Sequence, residues 1–377
     1  MNIKKLFSWS RIKYEFSFPS RPLSKFILHA FYSLAKIRFF KSFPKERAVF
    51  VWDFRVNPVT YDFVYLLFWI SNQFALLGFE KFDLIIHRAN YIRLNRSRDY
   101  ENIVSHQEII KRIENIILAF ARLHPCVAGI KLVDSFSEFE SDLLDPLVYV
   151  LPRYYSNSYY PLGCNSYTKL FKLWKNLDPY DSRLPLLKVP SNIDLINCFK
   201  ADDAPLIKKF LTYDALFPEF VVLTLRDYGF GSERNTSQHD IDVAFKFANS
   251  LNALLVIIPD DVSKLQNHIL PDLTVICEAA RQTLEIRVLL YSASIVNISR
   301  PSGPNALCYF IESAKSIVVG FGAGGKQGDL KIYKNIFKFI PGSQPFINQN
   351  GYLIWAHDRP ADSYDENDLL NIMKFIS

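Results

Sequence analysis

The sequence predicts an α/β protein of two doubly wound halves facing a central cleft, with a basic arm in front and a closing helix behind. Three observations carry this. The 377 residues exceed what one core usually serves, so two domains are expected. Short continuous apolar runs, the pattern of strands covered on both faces, alternate with stretches of helical period. The alternation lapses in a region rich in Pro, Asn, Asp and Tyr and restarts at Phe220. The expected divisions are 1–44 for the arm, 45–205 and 206–345 for the two halves, and 346–377 for the tail and its helix.

In the arm, Lys4, Lys5, Arg11, Lys13, Arg21, Lys25, Lys36, Arg38 and Lys41 stand against Glu15 alone, interleaved with Phe, Trp9, Ile and Leu. This composition suits an amphipathic segment lying on an anionic membrane surface, or a basic helix packed on the protein itself. The first half opens with Ala48–Phe54 as a buried strand. A helix follows from about Thr60 to Leu77 with Gly78 as its stop, then Phe82–His87 as a second strand. Strand, helix, strand at this spacing is a βαβ unit and calls for a parallel sheet. A helix over Gln107–Leu123 and a strand over Pro146–Leu151 continue the series.

The second half reads as strand Phe220–Leu225, helix Ile241–Leu251, and strands Leu254–Pro259 and Asp272–Cys277. Helix Leu284–Ala293, strand Ser294–Ile298, helix Ala306–Ala314 and strand Ser316–Phe321 complete it. Ser363 and Glu366 have capping-box spacing ahead of the final amphipathic helix.

Composition excludes several classes. The five cysteines are scattered, without a CxxC pair, which argues against a disulfide framework and a cysteine zinc site and for a reduced, cytoplasmic setting. The histidines lack HExxH or comparable spacing, so no metal is called for. No nucleic-acid-binding motif accompanies the net charge of +6. The lysines and arginines near the N-terminus break up any signal-peptide core. The long uncharged stretch Phe63–Phe79 is too short and too polar at Asn72-Gln73 for a comfortable membrane span, and reads as a buried helix.

Chemistry is expected at the carboxyl ends of strands, where open α/β sheets bind ligands. After Ser294–Ile298 comes Ser299-Arg300-Pro301-Ser302-Gly303-Pro304-Asn305. Gly303 permits close backbone approach and Pro304 suits a first helical turn. The amides of Asn305 and Ala306 would then face an anion, with Arg300 adding a bidentate phosphate contact. A plain capped turn with a surface arginine is the alternative. After Phe220–Leu225, Arg226 sits at the strand tip and Arg234-Asn235 near the next helix start, so that two guanidinium groups converge on one dianion. Alternatively Arg234 pairs with Glu233, Asp240 or Asp242. Lys326 in the glycine-rich stretch 320–328 offers a further anion contact, without matching a P-loop. In the first half Asp53 ends the first strand, Asp62 lies at the next helix and His87 ends the second strand. Asp53 is the first candidate for a general base, then Asp62 and His87; pairing of Asp53 with Arg55 is the structural alternative.

The stretch 294–322 resembles the nucleotide-sugar segment of heptosyltransferase-type enzymes. Ser302-Gly303-Pro304 matches their Ser-Gly-Pro and Asn305, Ala306 and Leu307 continue into the helix. The two halves and the terminal helix resemble the order of GT-B glycosyltransferases. Two features depart: Arg300 and Pro301 replace the polar pair before the serine, and no histidine follows Gly-Pro. The resemblance implies two Rossmann-like domains, with the donor bound by the C-terminal one. Arg226 would lie where a basic side chain meets the donor phosphates, and Glu312 where a carboxylate holds the donor ribose. It further implies metal-independent transfer of a sugar from a nucleotide-sugar to a glycan or lipid-linked acceptor, in surface polysaccharide or lipopolysaccharide assembly at the inner face of the membrane. No cofactor beyond the donor substrate is expected. A GT-B-like epimerase, a polysaccharide pyruvyl transferase and a non-catalytic carbohydrate- or partner-binding scaffold are the competing readings.

Overall fold

The computed structural model describes residues 47–54, 59–76, 78–88, 105–134, 138, 148–150, 186–209, 219–229, 232–321, 351–355 and 364–376. The chain divides into two compact units, one of residues 1–114 and 125–170, the other of 115–124 and 171–377. The basic arm, Lys326 and Ser363 lie outside the described residues.

The first unit is a parallel sheet built from β1 (Arg47–Asp53), β2 (Phe82–His87), β3 (Val127–Val133) and β4 (Val148–Val150), in the order β3-β2-β1-β4. Helix α1 (Asp62–Leu76) joins β1 to β2. Its stop is the glycine the sequence singles out. Gly78 takes φ +87°, its N–H donates to Ala75 O at 3.0 Å, and the N–H of Phe79 donates to Phe74 O at 2.9 Å. That pair of bonds is a Schellman motif, and its left-handed residue favours glycine. Aromatic side chains fill the interior: Trp52 meets Phe63 edge-on at 4.9 Å, and Phe74 lies 5.0 Å from Phe82. Between β2 and β3 runs a helical stretch, α2, capped by the Ser105 hydroxyl on Glu108 N. It is α-helical over His106–Arg112 and Ala119–Leu123 but widens to π-helical turns over Ile113–Leu118, where the sequence predicts one uninterrupted helix.

The second unit holds a six-stranded parallel sheet in the order β10-β9-β8-β5-β6-β7. Its strands are β5 (Phe220–Thr224), β6 (Leu254–Ile258), β7 (Thr274–Ile276), β8 (Val296–Ser299), β9 (Ser316–Phe321) and β10 (Gly351–Trp355). The helices are α3 (Ala204–Lys209), α4 (Gln238–Ser250), α5 (Glu278–Gln282), α6 (Leu284–Ala293) and α7 (Glu366–Ile376). Residues on β5 alternate between two covered faces. Val221 and Leu223 join the core made by Ile241, Phe247, Ala248 and Leu369, while Thr224 faces Tyr291 of α6, the two hydroxyls 2.8 Å apart. Helix α4 ends in a second Schellman motif with Asn252 at φ 52° as its left-handed residue.

The helix ends and the element between β8 and β9 differ from expectation. Helix α7 is capped by Asp365, whose carboxylate accepts from the N–H groups of Asn367 and Asp368, one residue before the expected Glu366 partner of Ser363. The helix expected over Ala306–Ala314 is instead a single 3-10 stretch, Pro304–Phe310. Segment 187–198, expected to belong to the first half, is tied to the second. Leu187 N donates to Phe310 O, Lys188 N to Leu123 O, and the Cys277 thiol to Cys198 O at 3.7 Å. At the end of α2, His124 is buried. Burial and then the charge of Lys188 lower its pKa to about 3, so the ring is neutral in the folded chain at neutral pH.

Among the described residues, no helix is long and apolar enough to cross a membrane.

Candidate functional site

The site follows from strand order. Chain progress from β5 through β6 to β7 runs one way across the second sheet, and from β8 through β9 to β10 it runs the other way. The segments leaving the carboxyl ends of β5 and β8 therefore diverge, and the crevice between them is the switch point at which open α/β sheets take ligands. Arg226 emerges two residues beyond β5 and Ser299-Arg300 at the end of β8; Thr224 and Ser299 are register neighbours.

The loop after β5 is closed on itself. Arg226 N donates to Thr236 Oγ1 at 2.8 Å, and Thr236 N returns to Arg226 O at 2.8 Å. Asn235 fastens the inside: its Oδ1 accepts from the Arg226 guanidinium and, at 3.1 Å, from Tyr228 N, while its Nδ2 donates to Tyr228 O at 3.2 Å. Lys264 donates to Asp227 O at 2.9 Å from beyond β6. Both guanidinium groups are mostly buried, Arg226 at 6% and Arg234 at 9% exposure. Arg234 crosses the switch point to donate to Pro301 O at 3.4 Å. Arg226, Arg234, Asn235 and the Pro301-Ser302 turn are thus brought together. Among the described residues the hydroxyl oxygens of Ser302 and Ser299 are buried without a hydrogen-bond partner, two acceptor/donor groups open to a polar ligand.

Four expectations for the turn after β8 are corrected. Arg300 is not turned outward to a phosphate: its Nε and Nη2 donate to the Asp240 carboxylate at 2.8 and 3.1 Å, with the two side chains at 3% and 0% exposure. Gly303 holds φ −57°, ψ −50°, values open to any residue, so no left-handed conformation requires glycine there. The Ala306 amide, expected to face an anion, donates to Gly303 O at 3.0 Å, and the Asn305 side chain is buried with Nδ2 on Tyr309 Oη at 3.1 Å. Glu312, expected within the helix near the ribose, is exposed and lies beyond the end of the 3-10 stretch, four residues ahead of β9. In a parallel sheet that is the amino edge, opposite the switch point.

In place of a glycine at 303, the structure requires one at 320. Gly320, near the end of β9, has φ +70°, and a Cβ there would stand 2.5 Å from Arg300 Nη1 and 2.7 Å from its Cδ and Cζ. Sequence reading places this glycine in the strand Ser316–Phe321 and at the start of the glycine-rich stretch 320–328, and gives it no role of its own. It considers Asp240 only as a solvent partner for Arg234, and Tyr364 not at all. The signal available was the Ser237/Asp240 spacing of a capping box, which the structure contains in full.

The first unit repeats the same topology in its four strands, with its switch point between β1 and β4. Asp53 is the last residue of β1 and pairs in register with His87, the last of β2. His87 is buried at 4% exposure, and its carbonyl accepts from Phe54 N at 3.1 Å. Asp62 is the first residue of α1. The side chains of Asp53 and Asp62 lie outside the described set. Next to His87, Arg88 pairs with Asp134 at 2.5 Å at the surface. Among the described residues no group of three His, Cys, Asp or Glu side chains is placed to hold a metal ion.

No protein-family model and no curated protein matches the sequence. Solved structures do. A glycosyl transferase family 9 protein from Veillonella parvula matches at 10% identity and a TM-score of 0.45, over 88% of this chain and 97% of that one. The Escherichia coli ADP-heptose lipopolysaccharide heptosyltransferase II matches at 11% identity and a TM-score of 0.41, over 88% and 98%. The E. coli heptosyltransferase WaaC with ADP matches at 12% identity and a TM-score of 0.40, over 88% and 100%. With TM-scores below 0.5, these likenesses carry no part of the functional reading.

Proposed function

We propose that the chain is a metal-independent glycosyltransferase that takes a nucleotide-sugar donor at the switch point of the second sheet and transfers the sugar to a glycan or lipid-linked acceptor. The carrying observation is that Arg226, Arg234 and the Ser302 turn meet across β5 and β8, where strand order opens a crevice. Two guanidinium groups beside unpartnered hydroxyls suit a diphosphate, with charge-assisted bonds to its oxygens. As the sugar–phosphate bond breaks, negative charge grows on the departing diphosphate, and Arg226 and Arg234 stabilise it without a metal. Asn235 holds Arg226 in place, and Ser302 contributes a hydroxyl. The resemblance of Ser302-Gly303-Pro304 to the nucleotide-sugar segment of heptosyltransferase-type enzymes supports the same assignment.

The acceptor hydroxyl needs a base. Asp53 takes that role in this reading, at the end of β1 and in register with His87; Asp62 at the start of α1 is the second candidate. Residues 1–44 hold the enzyme at an anionic inner membrane surface, in surface polysaccharide or lipopolysaccharide assembly.

Calorimetric titration with UDP, GDP, ADP and CMP tests the donor site, followed by incubation with the sugar nucleotide of the base that binds. A glycosyltransferase releases free sugar slowly to water, whereas an epimerase returns the sugar with altered configuration. Absence of binding by all four nucleotides at millimolar concentration rejects the donor site and favours a scaffold.

A further inference from the structure

Asp240 lies in the first turn of α4 and is 1% exposed, yet its carboxylate collects donors from three separate parts of the chain. It accepts from Ser237 N at 2.7 Å and Ser237 Oγ at 3.1 Å, which completes the helix cap. It also accepts the Arg300 fork at 2.8 and 3.1 Å, and Tyr364 Oη at 2.5 Å. The capping box at the start of α4 needs only the Ser237 donors, so the added arginine and tyrosine hold something else. Arg300 begins the turn after β8, and its neighbour Pro301 receives Arg234 through its carbonyl. Tyr364 is itself fixed from α4: His239 Nε2 lies 2.7 Å from its carbonyl, and the two rings meet edge-on at 5.3 Å. Hydrogen bonds therefore run from Tyr364 through Asp240 to the Arg300 side chain, and the backbone carries the connection on to Pro301, whose carbonyl takes the Arg234 guanidinium.

We propose that Tyr364 and Asp240 are positioning residues of the nucleotide site, acting through Arg300 to set the Pro301-Ser302 turn and with it Arg234. The proposal rests on the donor-site reading above. It gives the C-terminal segment, through Tyr364, an indirect part in ligand binding. Arg300 is then the strut of the cradle and not one of its ligands, and Gly320 is the space in which the strut lies.

The test uses the full chain with Tyr364→Phe, Arg300→Lys and the double variant. UDP, GDP, ADP and CMP affinities are measured by calorimetry, and urea unfolding is followed in parallel. Tyr364→Phe removes one hydroxyl and no volume; it should weaken the binding nucleotide at least fivefold. In the Arg300→Lys background, where the fork is already lost, the same substitution should change affinity less than twofold. Unchanged affinity in Tyr364→Phe, or losses that multiply in the double variant, overturns the proposal. A purely structural tyrosine would shift the urea midpoint alone and leave the affinity of folded protein intact. If the wild type binds none of the four nucleotides, the donor-site reading falls, and the relay is read by amide hydrogen exchange. Faster exchange at Ser302, Gly303 and Asn305 in Tyr364→Phe, beyond the change at β5 amides, upholds the relay. Equal changes at both overturn it.

Discussion

Gly320→Ala tests the packing under the candidate site with a single methyl group. Two costs are separable. At φ +70° an alanine occupies the left-handed region, at about 1 kcal/mol relative to glycine. The methyl also falls 2.5–2.7 Å from three atoms of Arg300. An ordinary contact requires roughly 3.4 Å or more, so the guanidinium must withdraw by most of an ångström. It has nowhere to go without giving up Asp240, because its Nε and Nη2 bonds at 2.8 and 3.1 Å fix its plane. Partial withdrawal sacrifices one charged hydrogen bond, about 1.5–3 kcal/mol. Full expulsion leaves a buried carboxylate without its arginine, about 3–5 kcal/mol. The expected loss is about 3–6 kcal/mol, read from urea unfolding followed by far-UV circular dichroism. In an Arg300→Ala background only the backbone cost should remain, about 1 kcal/mol. A loss near 1 kcal/mol in the wild-type background, or the same loss in both, refutes the argument that Gly320 exists to seat Arg300.

Arg226→Ala should leave the sheet folded and weaken nucleotide binding by about 1.5–3 kcal/mol, measured by calorimetry; unchanged affinity would remove it from the phosphate site. His124 binds its proton more weakly in the folded chain, near pKa 3, than in the unfolded chain near 6.5, so the unfolded state takes up the proton first as pH falls. Stability should accordingly be intact above about pH 6.5 and drop by about 1.4 kcal/mol per unit toward pH 3, and His124→Gln should make that limb shallower in urea titrations at pH 7 and pH 5. Burial pushes the Cys277 thiol up to about 11 and the Cys308 thiol higher still, so iodoacetamide at pH 8 should label neither before the second unit opens, as peptide mass analysis would show. Deleting residues 1–44 should release the protein from anionic vesicles at low salt, and equal partitioning with the full chain in a sedimentation assay would dismiss the arm as an anchor.

The sheet centres were legible, and of the four edge strands β4 and β7 were legible while β3 and β10 were not. β5 and β6 are buried along their whole length, so the apolar runs Phe220–Leu225 and Leu254–Pro259 announce them within a residue or two. β3 is an edge strand whose residues alternate only loosely between exposed and covered, and Gly129 sits inside it, so its sequence carries no clear period. β10, at the other sheet's edge, was likewise not expected. That Arg226, Arg234 and the Ser302 turn lie at neighbouring strand ends could be read, because strand ends and arginines are local features. Roles within it could not. Arg226 and Arg300 look alike in sequence, one basic residue after each strand, and what separates them is a carboxylate sixty residues from Arg300. No spacing rule reports on a pair that far apart. The expected cradle amide of Ala306 failed for a related reason: the turn closed into a 3-10 stretch that uses it internally.

Asp240 also imposes an order on the making of the protein. Its partners lie 60 residues downstream at Arg300 and 124 downstream at Tyr364. During synthesis α4 can form and cap itself with Ser237 as soon as it leaves the ribosome, but its carboxylate must stay hydrated until both distant donors arrive. The face of the sheet that α4 and α7 share cannot close over that charge before Tyr364 has been made. A chain that stops short of Tyr364 would carry the six described strands of the second sheet and still expose a carboxylate where its core should be sealed, a mark by which quality control can tell an unfinished copy from a complete one.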